Sequence, residues 1–176
     1  MKKNIFLTGA PSSGKTTVIK KVIAMLPYSA NGFYTEEERV EGRRTGFVLH
    51  TLDGKTGYLA HQDIASPYHI RRYGVDIHNV ETIAVPSIIP KGNTIIILDE
   101  IGKMECFSET FKETALKALD SPNIVIGTIT LGGDEFIQAI KQRDDMEIHE
   151  VTLENRDILP DIIVQKVKNL MINSDE

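Results

Sequence analysis

The chemistry-bearing residues of this chain begin with Gly9-Ala10-Pro11-Ser12-Ser13-Gly14-Lys15-Thr16-Thr17. Gly9 to Thr16 fit G-x-x-x-x-G-K-[ST] at every fixed position. Glycine at 9 and 14 permits backbone angles and a close approach that a side chain would block. The N–H groups of such a loop, Gly9 to Thr17 here, converge on a phosphate, helped by the positive end of the following helix. Lys15 can reach the β- and γ-phosphates, and the Thr16 hydroxyl can coordinate Mg²⁺. A turn that binds nothing would not need the lysine and threonine at these two positions.

A second cluster stands far along the chain. Ile95-Ile96-Ile97-Leu98 runs unbroken into Asp99 and Glu100. A strand apolar on both faces belongs in the middle of a helix-covered sheet, with its carboxylates at the C-terminal edge where ligands of open α/β sheets sit. This is the acidic partner strand that a phosphate loop requires. Asp99 would hold Mg²⁺ beside Thr16, and Glu100 would polarise a water for attack on the γ-phosphate. Lys103 lies close enough to reach a phosphate and offset charge on the transferred group, while Glu105 would orient Lys103 or be solvated. The alternative for both acidic residues is to cap the next turn.

These groups must be positioned by strands and helices. Asn4 to Thr8 reads as a buried strand and Thr17 to Leu26 as a helix, with Val18, Ile19, Val22, Ile23 and Leu26 on one face. Gly32 to Thr35 reads as a short strand, followed by a charged stretch with a turn at Gly42. Thr45 to Leu52 and Thr56 to Ala60 form a hairpin around Asp53-Gly54. The stretch from His61 to Pro90 is the least legible. His69 to Tyr73 is basic and aromatic, either a solvated segment or one that faces the nucleotide. Val80 to Ile89 reads as a short helix broken at Pro86.

Beyond Glu105, Phe107, Phe111, Ala115, Leu116 and Leu119 recur at helical spacing. Asn123 to Ile129 is a buried strand, Asp134 to Arg143 a helix and Met146 to Val151 a strand nearer the sheet edge. A last helix opens at Pro160 and buries Ile162, Ile163, Val167, Leu170 and Met171. Asn173 to Glu176 are expected to fray.

The 176 residues, 41% hydrophobic and 26% charged, describe one globular domain, residues 1–176, with a β-rich insertion at about 32–62. The net charge of -5 gives no pull towards nucleic acid or an anionic membrane. No segment approaches the ~20 apolar residues of a membrane span. The lone Cys106 allows no intrachain disulfide and fits a reducing compartment, so a cytoplasmic monomer is expected. The five histidines have no close Cys or His partner for a metal.

With these pieces placed, the chain resembles the THEP1-type nucleoside-triphosphatases, also called cancer-related nucleoside-triphosphatases. The likeness spans nearly the whole chain. It rests on Gly9 to Thr17, Gly32-Phe33-Tyr34-Thr35-Glu36-Glu37, Gly42 to Phe47, Tyr73-Gly74-Val75-Asp76, Leu98 to Glu105 (L-D-E-I-G-K-M-E) and Glu154-Asn155-Arg156. The chain departs from the family's usual Gly-Thr-Ile-Pro, reading Gly127-Thr128-Ile129-Thr130. The resemblance implies an α/β P-loop NTPase fold of RecA-like type. That fold has a mostly parallel central sheet flanked by helices, with the antiparallel β-arm inserted. It implies slow, Mg²⁺-dependent hydrolysis of ATP, GTP, CTP, UTP or similar triphosphates to diphosphate and phosphate. By match, Lys15 and Thr16 carry phosphate and metal contacts, Asp99 the metal and Glu100 the attacking water.

Asn155-Arg156 is a candidate base-recognition loop, the amide reading a base edge and the guanidinium stacking on its face. The alternative is a plain helix-entry loop. Arg43 and Arg44 either close over the phosphates or balance Glu36, Glu37, Glu38 and Glu41. Two other functions compete with hydrolysis. One is a nucleotide or metabolite kinase, with Arg71 and Arg72 in a lid. The other is a nucleotide-dependent switch that binds a protein or RNA partner.

Overall fold

The structure, a computed structural model, describes residues 1–173, so 174–176 of the stretch expected to fray lie outside it. One mixed sheet of nine strands organises the described residues. Its parallel half is built from β1 (Asn4–Thr8), β2 (Ala30–Val40), β7 (Ile95–Ile101), β8 (Val125–Ile129) and β9 (Met146–Glu150), in the order β2-β7-β8-β1-β9. Its antiparallel half continues outward from β2 through β3 (Arg43–Thr51), β4 (Thr56–His61), β6 (Tyr73–Val75) and β5 (His69–Ile70). The antiparallel strands therefore run on past residue 62, to Val75.

The alternation of side chains along β7 shows why this strand is central. Ile95 and Ile97 enter one core with Val18, Ile19 and Val22 of α1 (Lys15–Met25) and Ile163 and Val167 of α6 (Leu159–Asn173). Ile96 and Leu98 enter the other core with Phe33, Phe111 and Ala115, the last two on α4 (Glu109–Asp120). A strand with period-two side chains buried on both faces must read as a continuous apolar run.

Several elements differ from their sequence reading. Strand β2 does not stop near Thr35; it runs to Val40 because Phe33 to Val40 pair along β3 and Glu36 to Glu38 find partners in Lys20 of α1 and Arg44 and Thr45 of β3. Helix α1 starts at Lys15, two residues earlier than expected, directly on Gly14. Pro86 does not break its segment. The short helix α2 (Ile77–Asn79), a π-turn (Val80–Ala84) and α3 (Val85–Ser87) follow without interruption, and Pro86 is the second residue of α3, directly after the π-turn. Phe107 lies in a 3₁₀ turn (Glu105–Phe107), and α4 begins only after Ser108, whose hydroxyl accepts the Phe111 N–H at 3.1 Å. On α6 the buried face holds Leu159 and Val164, while Ile162 is exposed and Met171 partly so. Between β8 and β9 lies α5 (Glu135–Lys141), capped by Asp134. No helix among the described residues is long and apolar enough to cross a membrane.

Candidate functional site at the phosphate loop

The loop between β1 and α1 has the backbone its glycines allow. Gly9 and Gly14 have φ of 145° and 103°, and Ser12 is left-handed at 64°. A Cβ on Gly9 would lie 3.0 Å from the Val151 carbonyl oxygen, so the loop leans on the end of β9. Lys15 Nζ donates to the carbonyls of Gly9 at 2.9 Å and Ala10 at 3.1 Å, which lays the ammonium across the loop. The Ser13 hydroxyl is buried there with no hydrogen-bond partner. An anion-binding loop fits this unspent donor.

Asp99 is the point on which the elements converge. Thr16, in the first turn of α1, donates its hydroxyl to Asp99 Oδ2 at 2.9 Å. The Thr35 N–H of β2 reaches the same oxygen at 3.4 Å, and the Thr128 hydroxyl of β8 donates to Oδ1 at 2.5 Å. The carboxyl is 1% exposed. Burial pushes it above the usual carboxylate range, against the Thr128 and Thr16 hydroxyls, the Thr35 N–H and the charge of Lys15. Thr35 and Thr128 escaped the sequence reading; for Thr128 a threonine inside an apolar strand was the available signal, whereas Thr35 acts through its backbone N–H, which its residue type does not mark.

Among the described residues no group of three or more His, Cys, Asp or Glu side chains forms a metal cage. Mg²⁺ does not require one. It takes hard oxygens in an octahedral shell, typically one or two carboxylates, water and substrate phosphates. The Thr16 hydroxyl and Asp99 carboxylate, side by side at the phosphate loop, fit that donor set.

Glu100 and Glu105 form a second acidic pair. A Cβ on Gly102 would lie 2.5 Å from Glu100 Oε1 and 2.9 Å from Glu105 Oε2, so both carboxyls flank this glycine. Burial, then the charge of Asp99, pushes Glu100 up to about 7, with Lys15 pulling the other way. Burial and the charge of Glu100 hold Glu105 well above its ordinary value. Glu105 is thus neither solvated nor bonded to Lys103, the two roles expected of it; it is buried, and Lys103 stands exposed at the cleft.

The cleft itself has a volume of about 830 Å³ and brings together Gly9, Lys15, Thr16, Asp99, Glu100 and Lys103. Its other wall comes from the far end of β2, with Glu37, and from the antiparallel half: Arg44, Phe47, Ile70, Arg71 and Tyr73. Arg44 is committed there, donating to Glu37 at 2.9 Å and to the Tyr73 hydroxyl at 3.1 Å. It also lies over the Phe47 ring at 5.2 Å. Arg43 is exposed. A shallower groove along α6, beside Gln165 and Asn169, shares none of these residues.

Asn155 and Arg156 are not among the residues lining the cleft. The Asn155 amide closes its own loop, accepting the Thr152 N–H and donating to the Glu150 carbonyl, both at 2.8 Å. Arg156 lies beside the phosphate loop, its Cδ 3.6 Å from where a Cβ on Gly14 would be.

A family model described as NTPase matches residues 4–164. The nucleoside-triphosphatase THEP1 of Thermotoga sp. (strain RQ2) is 43% identical, with 93% of this chain and 95% of that protein covered. The human cancer-related nucleoside-triphosphatase is 37% identical, over 93% of this chain and 96% of its own length. Among solved structures, the crystal structure of THEP1 from Aquifex aeolicus superposes with a TM-score of 0.83 at 34% identity, covering 91% of this chain and 96% of that one. The solution structure of a human cancer-related nucleoside triphosphatase gives 0.76 at 35% identity, over 95% and 98%.

Proposed function

The chain belongs to the THEP1-type nucleoside-triphosphatase family, and on that premise we propose that its phosphate-loop cleft cleaves nucleoside triphosphates to diphosphate and phosphate with a water oriented by Glu100. The carrying observation is the meeting of Thr16 and Asp99 at 2.9 Å, with Glu100 the next residue along β7.

Backbone N–H groups from Gly9 to Thr17 cradle the phosphates, and Lys15 swings from its loop carbonyls onto the β- and γ-phosphates. Thr16 and Asp99 would hold Mg²⁺. When bound, the ion neutralises phosphate charge and orients the leaving group. Thr128 and Thr35 keep the Asp99 carboxylate aimed at Thr16. Glu100 accepts a proton from the attacking water. Lys103 offsets charge developing on the transferred phosphoryl group.

The base is read loosely in this proposal. Asn155 shapes the β9–α6 loop with both ends of its amide, leaving Arg156 to stack on a base face, a contact every base can make. That supports tolerance among ATP, GTP, CTP and UTP. The net charge of -5 favours free nucleotide over nucleic acid, and a cytoplasmic monomer remains our reading.

Glu100→Gln tests the assignment. Phosphate release from the four triphosphates is expected to fall at least about 100-fold, the scale of general-base loss. Nucleotide affinity is expected to stay within about threefold, because neither the loop nor the metal donors change. Hydrolysis by this variant at the unmodified rate would refute the role of Glu100.

A further inference from the structure

We propose that Arg71 is a catalytic residue of this site, an arginine supplied by the chain itself to the transferred γ-phosphoryl group. The inference rests on the cleft reading above.

Five cationic side chains line the cleft: Lys15, Lys20, Arg44, Arg71 and Lys103, the last exposed and given its role above; of the other four, three are already engaged. Lys20 is paired with Glu36 at 2.7 Å, Arg44 with Glu37 at 2.9 Å, and Lys15 lies on its loop carbonyls. Arg71 lines the same cleft with no hydrogen bond or ion pair from its guanidinium to any described residue. Its neighbour Arg72 makes the contrast. Arg72 donates to the Arg44 carbonyl at 2.6 Å and to the Tyr73 hydroxyl at 3.1 Å, and lies over the Tyr73 ring. In this two-residue turn, one arginine builds the wall and the other is left for something else.

The backbone supports the same division. Arg71 has φ of 53°, the left-handed region that glycine and asparagine occupy cheaply and a long side chain does not. A turn serving only to reverse β5 into β6 gains nothing from arginine there. Strain retained at a cleft-facing residue points to a role for the side chain. The turn is also anchored. Tyr68, just before β5, packs on Phe107 with ring centroids 5.2 Å apart, and Val75 donates to the Tyr68 carbonyl at 2.9 Å. The β5–β6 hairpin is thereby tied to the segment that follows Lys103 and Glu105, across the cleft from the phosphate loop. A planar guanidinium held there matches two phosphoryl oxygens at once, and its interaction grows as charge builds on them in the transition state.

The test compares Arg71→Gly, Arg71→Lys and Glu100→Gln with the unmodified protein in ATP and Mg²⁺, reading kcat, the affinity for ADP and the melting temperature. Arg71→Gly is expected to lower kcat at least about 10-fold, with ADP affinity within about twofold because ADP lacks the γ-phosphoryl group. The same variant is expected to melt about 2–4 °C higher as the left-handed strain is relieved. Arg71→Lys keeps the charge without the fork and is expected to fall between the two. Unchanged kcat in Arg71→Gly, with Glu100→Gln inactive, would overturn the proposal alone. Full activity of Glu100→Gln would instead overturn the reading of the cleft. A fall in kcat accompanied by an equal loss of ADP affinity would make Arg71 a general nucleotide-binding residue and also overturn it.

Discussion

Asp99 and Glu37 are carboxylates that line one cleft from neighbouring strands, β7 and β2. Asp99 is 1% exposed and is held by two threonine hydroxyls and a backbone N–H. Glu37, with a side chain 33% exposed, is held by the guanidiniums of Arg39 and Arg44. Burial pushes both carboxyls up. For Asp99 that effect wins, whereas Arg44 and Arg39 outweigh it for Glu37 and hold it below its ordinary value. The parallel half thus carries a charge that is poorly compensated by the protein and suited to a cation. The antiparallel arm pairs Glu37 with its own arginines and leaves Arg71 unpaired among the described residues, so the face it presents is apolar and basic. A wall that takes a cation and a wall that presents cations place opposite demands on the same side chain.

The sharpest way to break this comparison is to remove one support from the buried carboxylate. Thr128→Val deletes the hydroxyl 2.5 Å from Asp99 Oδ1 at nearly constant volume. It is expected to cost about 1–3 kcal/mol in urea denaturation, the scale for an orphaned buried acceptor. If it cost no more than a surface change, the contrast between the walls would fail.

A pH series probes the next effect. Glu100, like Asp99 and Glu105, has a folded-state pKa raised above the unfolded value, so its contribution to stability is full below about 4.5 and is lost as pH rises through about 7. The unliganded protein is expected to melt lower at about pH 8 than at about pH 5, and Glu100→Gln to lessen that difference. Hydrolysis runs the other way, since Glu100 accepts a proton only when ionised, and its rate is expected to rise through about pH 7. A melting temperature that climbed over this range would contradict the buried-acid description.

The smallest effect belongs to the arm. Glu37→Gln frees Arg39 and Arg44 from partially exposed ion pairs and is expected to cost under about 1 kcal/mol by the same denaturation measurement. A loss matching that of Thr128→Val would mean the arm pairs are as essential as the buried network.

Legibility followed the same division. The phosphate loop and β7 were readable because each rests on local chemistry: glycines at positive φ, a lysine and threonine at a helix start, an apolar run ending in two acids. The arm was readable at its turns, Gly42 and Asp53-Gly54, and in the strands flanking them, but not in the charged stretch between Thr35 and Gly42. Glu36 to Glu38 look like a loop in one dimension and become strand because β3 supplies partners across the sheet. Pro86 looks like a helix breaker but follows directly on a π-turn, as the second residue of α3.

By itself, the sequence determined the phosphate loop, the acidic strand and the family to which they belong, since spacing along the chain encodes all three. Only the tertiary structure decided the rest: that Thr35 and Thr128 support Asp99, that Glu105 is buried beside Glu100, that Asn155 closes its own loop, and that Arg71 lines the phosphate-loop cleft unpaired while Arg72 is bonded to Arg44 and Tyr73. Those facts depend on which atoms meet after residues far apart in the chain are brought together, and on which of them lose water when they do.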